Sequence, residues 1–221
     1  IGYEAAKLLD GIDNVTAVGY QALSTMVATD GNTALGFEAG KVTTGGYNTY
    51  IGFKSGKGAS GADANNTAVG HLSLTAITDG AYNTVLGAEA GEALTTGDEN
   101  VFIGLNAGDS TTDVDKSVII GANAGGGVMT DTADATIAIG YNAGNKITSG
   151  AKNVLIGRQS GDQGSYGVTT GNYNTAVGSD TFGASAAAHI TNHNNTAIGY
   201  NAMLEAQGAV SGNTAVGSDC L

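Results

Sequence analysis

Residues Asn32–Gly40 read NTALGFEAG, and most of the chain consists of returns of that phrase. They are NTYIGFKSG from Asn48, NTAVGHLSL from Asn66, NTVLGAEAG from Asn83, NVFIGLNAG from Asn100, NTAVGSDTF from Asn174, NTAIGYNAM from Asn195 and NTAVGSDCL from Asn213. Aligned on the glycine after the apolar residues, thirteen copies stand at Gly2, Gly19, Gly36, Gly52, Gly70, Gly87, Gly104, Gly121, Gly140, Gly157, Gly178, Gly199 and Gly217. The gaps run from 16 to 21 residues and are most often 17. A unit this short cannot hold a helical hairpin and suits one coil of a β-solenoid, with short strands paired to the coils above and below. The expectation is therefore an all-β, parallel β-solenoid of about thirteen coils, continuous over residues 1–221 as a single repeat array.

Read as columns, the repeat separates by role. The residue before the glycine is aliphatic, as in Leu35, Val69, Ile103, Ile120, Ile139, Ile156, Val177 and Ile198. Two places earlier stand Thr33, Thr49 and Thr67, changing to Val101, Val118, Ile137 and Val154 in the middle of the chain. Residues two apart on a strand share a face, and both columns favour β-branched side chains. Their uniformity assigns this face to the inside of the coil. The expected structural core is then Thr33, Leu35, Gly36, Ala39, Val69, Gly70, Ile103, Gly104, Ile120, Ile139, Ile156, Val177 and Ile198. The residue between the two columns is apolar as well (Ala34, Tyr50, Val85, Phe102, Ile119, Leu155), so the strand has two apolar faces. A strand of that kind is buried on both faces. One solenoid has one interior, so the second face calls for another copy of the chain.

Composition narrows the function classes. A formal charge of −12 gives no basic footprint for nucleic acid and no attraction to an anionic membrane surface. No apolar run is long enough to insert in a bilayer. The single cysteine, Cys220, excludes an internal disulfide framework and falls in a column of small residues with Ala39, Ser55 and Ala90. The chain begins at Ile1 in mid-phrase and is expected to be a piece of something longer.

The phrase N-[TS]-[AV]-[VI]-G-x-x-[AS]-G resembles the YadA-like head repeat of trimeric autotransporter adhesins. It is closer still to the NTAVGYQAL-type repeat of tailed-phage fibre proteins, which Ala17–Leu23 (AVGYQAL) matches almost letter for letter. The resemblance implies a left-handed β-roll packed side by side as a homotrimer, in an extracellular setting on a virion fibre or a cell surface. A host-surface glycan or protein receptor is the partner it implies. The period of about 17 rather than 14, with no heptad stalk and no anchor, favours a fibre segment over an adhesin head.

Chemistry-bearing residues are sparse. Acids spread along the turns, densest at Asp109, Asp113 and Asp115, with Asp131 and Asp134 nearby. Calcium is the cation such oxygen ligands suit, yet no complete calcium loop is written and no cofactor is expected. His189 and His193 stand four apart in HITNH without the glutamate of a zinc-protease helix, and read as loop histidines. Tyr3, Tyr20, Phe37, Phe53, His71, Tyr141 and Tyr200 share the column after the glycine and read as a stacked ladder, with sugar binding as the alternative. Receptor contacts are expected in the variable segments between copies, with Tyr166, His189, His193, Asp131 and Asp134 as candidates. No acid–base cluster suggests an enzyme. The alternatives of another class are an ice-binding solenoid, from the threonine column, and a polysaccharide-degrading solenoid.

Overall fold

The computed structural model describes residues 1–8, 11, 13–26, 30–58, 61–162, 170–183, 193–204 and 211–220. Twelve three-residue strands follow one another: β1 (Thr16–Val18), β2 (Thr33–Leu35), β3 (Thr49–Ile51), β4 (Thr67–Val69), β5 (Thr84–Leu86) and β6 (Val101–Ile103) come first. Then come β7 (Val118–Ile120), β8 (Ile137–Ile139), β9 (Val154–Ile156), β10 (Thr175–Val177), β11 (Thr196–Ile198) and β12 (Thr214–Val216). All twelve form one parallel sheet in chain order. The register pairs equivalent positions, for example Thr33 with Thr49, Ala34 with Tyr50 and Leu35 with Ile51. The chain is thus a parallel β-solenoid with a repeat of about 17 residues. Among the described residues there are twelve strands rather than thirteen, as only Ile1 precedes Gly2 in the first phrase.

Each strand stops at its glycine for a physical reason. Gly36 has φ +145°, and a Cβ there would lie 2.2 Å from the carbonyl oxygen of Gly52 in the next coil. The coils approach backbone to backbone at this column, which only glycine permits. Two residues later the chain turns through the left-handed region, at Glu38 (φ 53°), Asn106 (54°), Asn123 (54°) and Asn142 (54°). Asparagine tolerates that conformation best among residues with a side chain. Pairing between coils continues around the turn: the Glu38 amide donates to the Tyr20 carbonyl at 2.8 Å and the Gly40 amide to that of Ser55 at 2.9 Å.

The inside and outside of the sheet are the reverse of the expectation from column uniformity. The middle residue of each strand points inward: Ala34, Tyr50, Ala68, Phe102, Ile119, Ala138 and Leu155 are fully buried. Thr33 and Leu35 point outward, and so do Val69, Ile103, Ile120, Ile139, Ile156, Val177 and Ile198, all half-buried or exposed. Leu35 and Leu86 are each 48% exposed and Ile198 is 41% exposed, values no core residue shows. Ala39 keeps its expected place in the interior, and Gly36, Gly70 and Gly104 hold the coil-stacking column.

The interior column varies in size because a second residue of the same coil compensates. Where the inner strand residue is large, the residue six places on is glycine, as in Tyr50/Gly56, Phe102/Gly108, Ile119/Gly125 and Leu155/Gly161. Where it is alanine, that later residue is large, as in Ala17/Leu23, Ala68/Leu74, Ala176/Phe182 and Ala197/Met203. The two compete for one space: a Cβ on Gly56 would meet the Tyr50 ring at 2.2 Å, and one on Gly125 would meet Ile119 Cδ1 at 2.7 Å. Ala34/Gly40 and Ala138/Gly144 have small residues at both places, and neighbouring coils fill the gap. A Cβ on Gly40 would meet Leu23 at 2.7 Å and Tyr50 at 2.9 Å. Met26, Ile77, Leu94 and Ile147 are buried in the same apolar core.

Beside this apolar column runs a buried asparagine ladder. The Asn32 Oδ1 accepts from the Asn48 amide, Asn48 Oδ1 from the Asn66 amide, and Asn66 Oδ1 from the Asn83 amide, at 2.8 to 2.9 Å. The side-chain NH2 groups cross the coil to the carbonyls of Gly45, Asp63, Gly80, Gly97 and Val114. Strand alternation puts Asn32 on the same side as Ala34, so this asparagine and the inner residue are buried together. The ladder passes through Ser117 and Thr136, where the Ser117 hydroxyl oxygen accepts from the Thr136 amide at 3.2 Å, and resumes at Asn153.

Candidate interaction face

The first and third residues of all twelve strands form one outward-facing strip that contains no charged side chain. In β1–β5 and β10–β12 each row pairs a threonine with an aliphatic residue. In β6–β9 both columns are aliphatic: Val101/Ile103, Val118/Ile120, Ile137/Ile139 and Val154/Ile156. Rows of a parallel sheet lie about 4.8 Å apart, so the strip runs about 53 Å along the axis. Isolated apolar side chains on a surface are ordinary, whereas an unbroken column of outward aliphatic residues makes this face the candidate for interaction.

Beyond the glycine the strip is bordered in its N-terminal part by stacked rings. Tyr3, Tyr20, Phe37, Phe53 and His71 lie with successive centroids 5.4, 5.0, 5.2 and 5.3 Å apart and planes within 13° of parallel. The expected ladder is present for these five. Their faces are covered by one another, and a sugar stacks on a ring face, so the ladder offers mainly edges. Tyr141 and Tyr200 sit in the same column at 52% and 54% exposure with no ring neighbour in the next coils, where Ala122, Arg158, Ser179 and Ser218 stand. Among tyrosines outside this column, Tyr47 lies against Gly31, and Tyr173 carries Lys152 Nζ at 5.1 Å from its ring centre. Tyr82 is 63% exposed.

Of the polar receptor candidates that are described, Asp131 and Asp134 share one coil and His193 stands apart from them. Asp131 is exposed and opens a short 3-10 turn, Asp131–Ala133. Asp134 Oδ1 accepts from the Asp115 amide at 2.8 Å, and Asp115 Oδ1 from the Asp98 amide at 2.8 Å. These acids are pinned to coil edges. Burial, then the charges of Asp115 and Asp131, raise the Asp134 carboxyl above its usual range. His193 Nδ1 accepts from the Asn172 amide at 3.1 Å, three rows away from Asp134 along the sheet. Tyr166 and His189 lie outside the described residues. Among the described residues no group of three or more His, Cys, Asp or Glu could hold a metal ion, and no helix is long and apolar enough to cross a membrane. Cys220 occupies its small slot with Sγ 3.1 Å from the Gly217 carbonyl oxygen.

Two ionisable pairings sit closer to the structural core. Glu38 is nearly buried and paired to Lys41 at 2.6 Å and Lys57 at 3.1 Å, and the Lys41 hydrogen bond lowers its carboxyl. Tyr50 is the one large polar-tipped side chain in the inner column, and its phenol donates to Asp63 Oδ2 at 2.5 Å. Asp63 is 1% exposed and its Oδ1 makes no hydrogen bond. Burial pushes this carboxyl up to about 6, against the bonds that favour its charge.

No family model, no curated protein and no solved structure matches the chain.

Proposed function

We propose that the chain is a structural segment of an extracellular fibre, in which copies lie side by side as a homotrimer, and that the fibre is a phage tail fibre. The outer strip is the observation that carries this reading. It is long, uncharged and aliphatic at the third residue of every strand, and its regular rows match a partner with the same spacing. The repeat phrase resembles tail-fibre repeats, which supplies the number three and the fibre setting. A bacterial surface adhesin head uses the same face and is the nearest alternative. Recognition of a host-surface glycan or protein falls to the segments between coils, and catalysis has no part in this reading. Sedimentation equilibrium tests it: a mass three times 21.7 kDa is expected, and a stable monomer at micromolar concentration overturns it.

One observation favours a second reading. The threonines of β1–β5 point outward, as an ice-binding array requires. The four aliphatic rows of β6–β9 interrupt that array, so it ranks below the fibre. Thermal hysteresis in a purified sample would reverse the ranking.

A further inference from the structure

Two exceptions to the repeat fall in the same place. Along the inner strand column only Tyr50 carries a polar tip; the others are alanine, valine, isoleucine, leucine or phenylalanine. Seven residues before each strand-ending glycine a second column runs along the coil edge, and most of its carbonyls accept from the buried asparagine and threonine side chains that cross the coil. That column holds Gly45, Gly80, Gly97, Gly150 and Gly171, with Val114 and Ala133 as its apolar members, and Asp63 is its one charged residue among those described. Asp63 stands one coil after Tyr50. The equivalent pair three coils on is Phe102 and Val114, so packing by itself needs neither a phenol nor a carboxyl here.

The pairing leaves a charge without compensation. The Tyr50 phenol donates to Asp63 Oδ2 at 2.5 Å, and both side chains are buried. Asp63 Oδ1 makes no hydrogen bond, nor does the hydroxyl of fully buried Thr43, which lies beside the same phenol. The other groups facing the carboxyl are the neutral amides of Thr44 and Gly45. Charged side chains on the neighbouring segments are committed elsewhere: Lys41 and Lys57 to Glu38 at 2.6 and 3.1 Å, and Asp79 Oδ1 to the Ala62 amide at 2.9 Å. A buried carboxylate with an unbonded oxygen and no cation is costly, and a proton on it removes that cost. The backbone that carries it is tied at the coil edge by the Asp63 amide to the Thr78 carbonyl and the Asn65 amide to the Gly46 carbonyl, each at 3.0 Å. We infer that Asp63 and Tyr50 form a proton-operated latch: with the carboxyl protonated the edge from Asp63 to Asn65 stays closed over the Tyr50 ring, and loss of the proton opens that edge while coils away from it stay paired. Burial sets the working range, since the closed carboxyl is raised from 3.8 to about 6. Closure is fullest below about pH 4 and is lost as pH rises through about 6. The latch acts within one chain and does not depend on association between copies.

Hydrogen exchange of the full chain, corrected for the pH dependence of the chemical step, reads the latch amide by amide. Between about pH 5 and 7.5 the opening at Asp63 and Asn65 is expected to rise about tenfold, as required of a carboxyl that titrates near 6 when closed and near 3.8 when open. The amides of Glu99 and Lys116 make the same coil-edge bond as Asn65, at 2.9 Å, and are expected to stay within about twofold. Asp63→Asn is expected to abolish the rise. Tyr50→Phe removes a donor that favours the charged carboxyl and is expected to enlarge it, an effect that mere loss of packing would not produce. The latch is overturned by the absence of a rise, by a rise that Glu99 and Lys116 share, by one that persists in Asp63→Asn, or by one that Tyr50→Phe leaves unchanged or smaller.

Discussion

The two faces of the one sheet follow different rules. Inside, the strand residue ranges from Ala34 to Tyr50 and Phe102; outside, the third residue is always Val, Leu or Ile. The interior tolerates that range because the same coil holds a compensating position, glycine at Gly56 and Gly108, leucine at Leu74. The exterior has no compensating residue in its own chain. Uniformity there is what a surface needs if it is to mate along its whole length with something equally regular. In this solenoid, size variation marks the core and size constancy marks the outer face.

The comparison can be broken at the column between the two faces. Gly87→Ala places a methyl where the Gly104 carbonyl oxygen lies 2.2 Å away, at φ +148°. Neither face can relax that overlap, so a loss of at least about 4 kcal/mol is expected, read by thermal or urea unfolding. A smaller loss would mean that the coils can separate at this column.

The compensation rule is tested one step down in size. Phe102→Ala should cost about 3–5 kcal/mol as a buried aromatic deletion. Adding Gly108→Leu copies the Ala68/Leu74 arrangement and is expected to restore roughly half of it. Leucine accepts the left-handed backbone at the equivalent Leu74 (φ 53°). No recovery in the double variant would separate the two positions.

Asp63 offers a pH test of the interior. Its folded carboxyl is raised from an ordinary 3.8 to about 6, so the folded state holds a proton that the unfolded state has released between those values. Stability from this group is greatest below about pH 4, falls as pH rises through 6, and is lower by up to about 3 kcal/mol above it. Asp63→Asn keeps an acceptor for the Tyr50 phenol and is expected to raise stability at pH 7.5 and flatten the profile between pH 4 and 7. An unchanged profile would place the charge of Asp63 in water.

The outer face should show the smallest effect on folding and the largest on assembly. Val118→Asp with Ile139→Asp, both outward in the central band, is expected to change chain stability by within about 1 kcal/mol per site while abolishing association in sedimentation. If these substitutions unfold the chain as Phe102→Ala does, the two faces do not differ.

Much of this was legible before any coordinates. The period, the parallel stacking, the small slot at Ala39, the stacked rings from Tyr3 to His71 and the doubly apolar strand follow from columns, because a solenoid repeats its contacts at its sequence period. The asparagine ladder was not among those readings, although its signal is in the recurrence of Asn32, Asn48, Asn66 and Asn83 at the same place. The Tyr50–Asp63 bond was not, since its partners join a strand to an irregular inter-coil segment.

Sequence alone determined the repeat, the strand positions and the existence of two apolar faces, since these depend on periodicity and local backbone preference. Only the tertiary structure decided which face is inside. Thr33 and Leu35 have the pattern of a core, and Ala34 is too small to look like one. The turn after Gly36, which carries Ala39 into the interior, chooses between them. That choice depends on contacts across the coil, where Gly56 makes room for Tyr50 and Leu74 fills the space beside Ala68. No single column carries that information.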